Sequence, residues 1–132
     1  MPDKVLIDTS VWVDFFRKRD SLVSMKVREY LKLSQVCYTG PILVELYQGA
    51  KTQRETEILD QLFDTISYVD ITRDHYHHAG RINQKAAREG RLFSTIDVIL
   101  GVLAHDEGLS LFSLDRHFHD ISRYCALSLV TS

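Results

Sequence analysis

The stretch Val5-Leu6-Ile7-Asp8-Thr9-Ser10-Val11-Trp12 runs from three apolar residues through one acid and two hydroxyls into the start of a helical pattern. Val5, Leu6 and Ile7 read as a short buried strand closed by Asp8. Thr9 or Ser10 then caps a helix through about Arg19, with Val11, Trp12, Phe15 and Phe16 at helical spacing. Leu111-Phe112-Ser113-Leu114-Asp115 repeats the motif of an apolar run closed by an acid. A strand that delivers a carboxylate at its carboxyl end, twice in one chain, is the pattern that decides the fold.

Outward from these two points, strands and helices alternate. A helix opens at Ser21; Val36-Cys37-Tyr38 is a short strand; Pro41 suits the first turn of a helix through Gln48 that Gly49 ends. Gln53 to Phe63 carries Ile58, Leu59, Leu62 and Phe63 at amphipathic spacing, and Ser67 to Val69 is a further strand. Thr72 caps a long helix to about Glu89, closed by Gly90. The run from Ile96 to Glu107 is apolar nearly all round, hence a buried helix, closed by Gly108. A last short helix and a strand near Leu127 to Val130 finish the chain. The order predicts one α/β domain over 1–132, with a central, mostly parallel sheet of about five strands and helices on both faces. In such sheets ligands sit beyond the carboxyl ends of the strands, where the strand order reverses.

Two other acids stand in apolar surroundings. Glu45 interrupts Ile42-Leu43-Val44-Glu45-Leu46, and Asp97 heads Ile96-Asp97-Val98-Ile99-Leu100-Gly101. Burying a lone carboxylate is costly, so such residues are expected to be paired or bound to a cation. If Asp8, Glu45, Asp97 and Asp115 converge, their natural ligand is a hard divalent ion, Mg²⁺ or Mn²⁺. Two such ions roughly 3.5–4 Å apart clamp an in-line phosphoryl displacement. Topology and motif together favour Asp8 and Asp97 as direct ligands, with Asp115 acting through water.

Composition constrains less. The 132 residues, 45% apolar and 26% charged, suit one domain with a real core, and no segment approaches a membrane span. Only three apolar residues separate Met1-Pro2-Asp3-Lys4 from Asp8, which is no secretory signal, so the expected compartment is the cytoplasm. Cys37 and Cys125 lack metal-type spacing and read as buried reduced thiols. The net charge of −2 looks wrong for a nucleic-acid binder. Two divalent cations at the acids would take it to +2, so charge alone excludes little.

These stretches resemble the PIN-domain ribonucleases, and among them the VapC-type toxins of toxin–antitoxin pairs. The resemblance rests on Val5 to Trp12, Ile42 to Leu46, Ser94-Thr95-Ile96-Asp97-Val98-Ile99-Leu100-Gly101 and Leu111 to Phe118, in the family's order and spacing. It implies Mg²⁺ or Mn²⁺ at Asp8, Glu45, Asp97 and Asp115, with a supporting hydroxyl at Ser10 or Ser113. The implied activity is metal-dependent endoribonuclease hydrolysis that leaves a 5′-phosphate and a 3′-hydroxyl. The implied partners are a small antitoxin covering the cleft, an RNA substrate (transfer or ribosomal RNA) and a second subunit in a homodimer. One departure is Ile42, where the family often has a small polar residue.

Rival readings fit less well. A haloacid-dehalogenase-like phosphatase wants a second aspartate two residues after the first, where this chain has Ser10. A receiver domain wants an acidic pair before its first helix, which is absent. A catalytically degenerate PIN-fold domain that binds RNA or protein is expected to have lost one of the four acids, and all four are present.

Arg81, Lys85 and Arg88 recur at i, i+4 and i+7, with Arg91 following, and read as a stripe for RNA phosphates or as a solvated helix face. Six histidines invite a zinc reading, but H-E-x-x-H is absent and surface or interface roles fit better. His117 and His119 follow Asp115 closely enough to reach substrate or a metal-bound water. Trp12, Phe15 and Phe16 exceed what one core stripe needs, so part of that helix reads as an interface.

Overall fold

The computed structural model describes residues 4–131; residues 1–3, on which the N-terminal reading partly rests, and residue 132 lie outside them. The elements run β1 (Val5–Ile7), α1 (Thr9–Arg17), α2 (Leu22–Lys32), β2 (Val36–Tyr38), α3 (Gly40–Gly49), α4 (Gln53–Thr65), β3 (Ser67–Tyr68), α5 (Arg73–Arg88), α6 (Thr95–Asp106), β4 (Ser110–Phe112), α7 (His117–Ile121) and β5 (Ser128–Leu129). The sheet order is β3-β2-β1-β4-β5, and every pairing is parallel.

From β1 the chain steps outward to β2 and β3, then returns past β1 to add β4 and β5 on the other side. Right-handed crossovers therefore place α1 to α4 on one face and α5 to α7 on the opposite face. The strand order reverses between β1 and β4, and the register there pairs Ile7 with Phe112. Asp8 and Ser113 follow these residues directly, and the Asp8 N–H donates to the Phe112 carbonyl at 2.9 Å. The crevice that topology assigns to a ligand thus opens beside Asp8.

All of β1 is buried, as central parallel strands require. Trp12 of α1, Ile42 of α3, Leu100 and Leu103 of α6, and Phe118 and Ile121 of α7 pack against it and Phe112, all fully buried. Seven consecutive residues of α6, Val98 to Ala104, are buried, which explains its lack of a polar face. Gly90 and Gly108 close α5 and α6 in the left-handed region, at φ of 79° and 66°.

Several boundaries differ from the sequence reading. Asp8, not Thr9 or Ser10, is the N-cap of α1: its carbonyl accepts from Val11 and Trp12 N–H at 3.1 and 3.2 Å. Thr9 and Ser10 therefore lie inside the first turn, with their hydroxyls free for other work. The helix stops at Arg17, where Lys18 turns extended. Gly49 is the last helical residue of α3, and Ala50 follows as the C-cap. Cys37 and Cys125 are buried free thiols, and burial pushes both up to about 11. No described helix is long and apolar enough to cross a membrane.

Candidate metal centre

Asp8 is only 8% exposed, yet no cation neutralises it among the described residues. Two hydroxyls hold its Oδ2: Ser10 Oγ donates at 3.0 Å and Ser113 Oγ at 2.8 Å. Each serine has a single proton to donate. Their remaining capacity is acceptor capacity, and it is used: Ser10 Oγ accepts from Leu114 N–H and Ser113 Oγ from Asp115 N–H, both at 3.0 Å. The two serines thus tie the ends of β1 and β4 together. They leave Asp8 Oδ1 at the crevice with no donor among the described residues.

Glu45 sits on an exposed face of α3, not inside its apolar stripe, since Ile42 and Leu46 supply the buried positions. Thr9 Oγ1 donates to Glu45 Oε1 at 3.2 Å. The sequence reading does not single out Thr9 for this work. The available signal is the pair of hydroxyls in Asp8-Thr9-Ser10, one for each of two acids.

Asp97 stands in the first turn of α6, capped by Ser94, whose Oγ accepts the Asp97 N–H at 3.4 Å. Asp115 lies in the turn after β4, where its Oδ1 accepts the His117 N–H at 2.9 Å. One ligand atom from each of Asp97, Asp115 and His117 lies within 4.8 Å of the others. This grouping contains Asp115 and an imidazole but not Asp8, which the sequence reading pairs with Asp97 as a direct ligand. Asp8 is held by its serines.

The electrostatics join all four acids. Burial first, and then the charges of Asp115 and Asp8, push the Asp97 carboxyl up to about 6; Glu45 adds to the rise and His117 opposes it. A half-buried carboxyl so raised marks a pocket of uncompensated negative charge. No Lys or Arg forms an ion pair with any of the four among the described residues. Carboxylate oxygens in excess, one imidazole and no internal counter-charge are a donor set that fits a divalent cation.

The basic stripe divides. Arg81 lines a shallow groove on the outer face of α5 with Arg73, Tyr76, His77, Gly80 and Gln84. Lys85 instead lies over the Tyr124 ring, 6.0 Å from its centroid. Arg91 is among the charges acting on the Tyr124 hydroxyl, which donates to Glu89 at 2.5 Å. Arg88 is exposed at the end of α5, and segment 89–94 leads from it to Asp97.

Three histidines outside the centre, His75, His78 and His105, have structural work. His75 is buried, contrary to a surface role: its Nδ1 accepts from Thr72 N–H at 2.9 Å as a helix cap, and its Nε2 faces Glu107 at 3.5 Å. His78 pairs with Asp106 at 3.1 Å, so the two do not share a site. The aromatics of α1 split as expected. Trp12 is fully buried and Phe16 is 43% exposed. Phe16 lines a groove of about 390 Å³ with Val13, Leu46, Ala50 and Ile58, and Glu45 forms part of its wall.

A family model described as PIN domain matches residues 5–124, and the chain belongs to that family. The ribonuclease VapC11 of Mycobacterium tuberculosis is 28% identical over 123 residues, which span 90% of this chain and 92% of the relative. Among solved structures, the chain is similar to one from VapBC2 of Rickettsia felis bound to a promoter DNA fragment, with a TM-score of 0.79 and 17% identity over 96% of each chain. DNA-bound VapBC of Salmonella typhimurium gives the same TM-score and identity over 98% of each chain. At these identities the structural likeness is one of fold.

Proposed function

We propose that the protein is a divalent-metal-dependent endoribonuclease, the toxin half of a toxin–antitoxin pair that acts in the cytoplasm. The carrying observation is the convergence on Asp97: its carboxyl is raised by burial and then by the charges of Asp115, Asp8 and Glu45, residues delivered by three other segments of the chain. The VapC relative, named a ribonuclease and matched along nearly its whole length, supports RNA as the substrate.

Asp97, Asp115, Asp8 and Glu45 would hold Mg²⁺ or Mn²⁺. When bound, the cation neutralises phosphate charge and makes water a competent nucleophile near neutral pH. The protein supplies position. Ser10 and Ser113 fix Asp8 so that its free oxygen does not rotate away, and Thr9 fixes Glu45 across the crevice. Catalysis of phosphoryl transfer rests largely on such fixed placement and on electrostatics. Hydrolysis leaves the phosphate on the 5′ end and a hydroxyl on the 3′ end. Lys85, Arg88 and Arg91 lie along the chain leading to Asp97 and serve as phosphate contacts.

The groove beside Phe16 shares Glu45 with the carboxylate cluster, so a segment lying in it reaches the centre. That continuity suits an antitoxin segment with apolar side chains along the groove and a cation at its end. Transfer and ribosomal RNA are the substrate classes to try.

The test is cleavage of total RNA by purified, antitoxin-free protein with Mg²⁺, Mn²⁺ or EDTA, beside Asp8→Ala. Discrete fragments that require metal and vanish in the variant support the nuclease. Folded protein that binds RNA and cuts none under any metal returns the chain to the degenerate, binding-only reading.

A further inference from the structure

We propose that His117 is a direct nitrogen ligand of the metal centre and that it sets the centre's preference for Mn²⁺ over Mg²⁺. This rests on the metal-dependent reading above. It adds a donor beyond the four carboxylates.

The geometry is local. Asp115 and His117 flank one residue of a turn, and the His117 N–H closes that turn onto Asp115 Oδ1 at 2.9 Å. The same turn brings His117 Nδ1 to 3.2 Å from that oxygen. Adjacent ligand atoms of an octahedral ion with bonds of about 2.1 Å stand about 3 Å apart. The pair is therefore spaced as neighbouring ligands are, and an Asp97 oxygen from α6 completes a set within 4.8 Å.

His117 has no competing structural duty among the described residues. Its side chain is 72% exposed, so packing does not account for its position. His75, His78 and His105 are each committed elsewhere, to the Thr72 cap, to Asp106 and to the Ala126 carbonyl. The His117 ring makes its polar contact with the carboxylate beside it.

The chemistry then decides the ion. Mg²⁺ keeps oxygen ligands and demands near-ideal octahedral geometry. Both ions suit oxygen ligands, but Mn²⁺, a first-row transition dication, accepts an imidazole nitrogen more readily than Mg²⁺ does. Two carboxylates and one imidazole accept Mn²⁺ readily, whereas Mg²⁺ gains little from the nitrogen. Asp8 and Glu45, held apart by their own hydroxyl partners, remain for water-mediated contacts or a second ion.

The deciding experiment is electron-spin-echo spectroscopy of the Mn²⁺-loaded protein, paired with calorimetric titration of Mn²⁺ and Mg²⁺. Nitrogen modulation from a bound imidazole is expected in the natural chain and in His119→Ala, and its absence is expected in His117→Ala and His117→Gln. The backbone N–H bond to Asp115 survives in both variants. Their Mn²⁺ affinity should fall at least about tenfold, the lower end of what losing a ligand's supporting partner alone costs, with Mg²⁺ affinity nearly unchanged. Mn²⁺ binding and RNA cleavage without nitrogen modulation would overturn this assignment and leave the nuclease standing. So would an equal fall in the affinities of both ions. A protein that binds neither ion and cuts no RNA overturns both.

Discussion

Ser113 donates to Asp8 Oδ2 at 2.8 Å from a position 105 residues further along the chain. The same oxygen accepts from Ser10, so a largely buried carboxylate rests on two neutral donors and, among the described residues, on no cation. Hydrogen bonds to a charged group contribute about 1.5–3 kcal/mol, and a buried acceptor left without its donor costs more than the average bond. Ser113→Ala also strips the acceptor from Asp115 N–H. We expect it to lower stability by about 2 kcal/mol and to cut RNA cleavage more than tenfold, read by thermal unfolding and initial rates. Ser10→Ala should combine with Ser113→Ala less than additively, because the two share one acceptor.

The raised Asp97 carboxyl gives the metal-free protein a definite pH dependence. Unfolded, Asp97 titrates near 3.8; folded, near 6, because burial and then Asp115 and Asp8 disfavour its charge. Between these values the native state holds the extra proton, so its contribution to stability is full below the lower value and is lost as pH rises through the higher one. A cation replaces the proton. The rise in melting temperature on adding Mn²⁺ should therefore grow as pH passes upward through about 6. A metal-induced shift that is flat across that window would show that Asp97 is not a ligand.

Charge reversal on α5 should separate its two parts. Lys85→Glu and Arg88→Glu should lower the salt dependence of RNA binding by roughly 0.7 in slope for each phosphate no longer neutralised. Arg81→Glu, in the outer groove with Arg73 and Tyr76, should have the smaller effect. Equal effects at all three would return the helix to one continuous stripe. Fluorescence titrations across a salt series with a short single-stranded RNA read this out.

Gly101 marks a close approach of α6 to the end of α7. A methyl there would meet Ile121 Cγ2 at 3.2 Å and Leu127 Cδ1 at 3.7 Å. Overpacking of this kind costs about 1–3 kcal/mol, so Gly101→Ala should lower the unfolding free energy by that amount, read as a lower urea midpoint. Metal binding by the folded fraction should persist, since the α6 turn that carries Asp97 lies one turn before the contact.

Much of the fold is legible because each signal is local. Three apolar residues ended by an acid name β1, the uniform hydrophobicity of 98–104 names a buried helix, and Gly90 and Gly108 name two helix ends. That Asp8 and Asp115 come to one edge follows from the same alternation, since parallel strands deliver their carboxyl ends there; Glu45, within α3, is not placed by strand direction. What escapes the sequence is set by register and rotation. Thr9 reaches Glu45 only because Asp8, whose backbone starts α1, leaves Thr9 in the first turn. Arg81 and Lys85, one helical turn apart, meet different neighbours because Arg81 shares a groove with other α5 side chains, Arg73 and Tyr76 among them, while Tyr124 from beyond α7 reaches Lys85. His75 is buried because Thr72 and Glu107 satisfy both ring nitrogens, which one sequence position does not reveal.

The central strand β1 precedes both its partners in the chain, and β4 joins it from 105 residues further on, where Val5 pairs with Ser110. Such long-range parallel pairing forms late and slowly. A nascent chain that has emerged as far as α5 carries Asp8, Ser10 and Glu45 but has neither Asp97, nor β4 to pair with β1, nor Ser113, the second serine that steadies Asp8. Synthesis order thus acts as a safety catch: a partly made chain lacks an assembled centre, and damage to the cell's RNA waits until α6, β4 and the turn after it have left the ribosome.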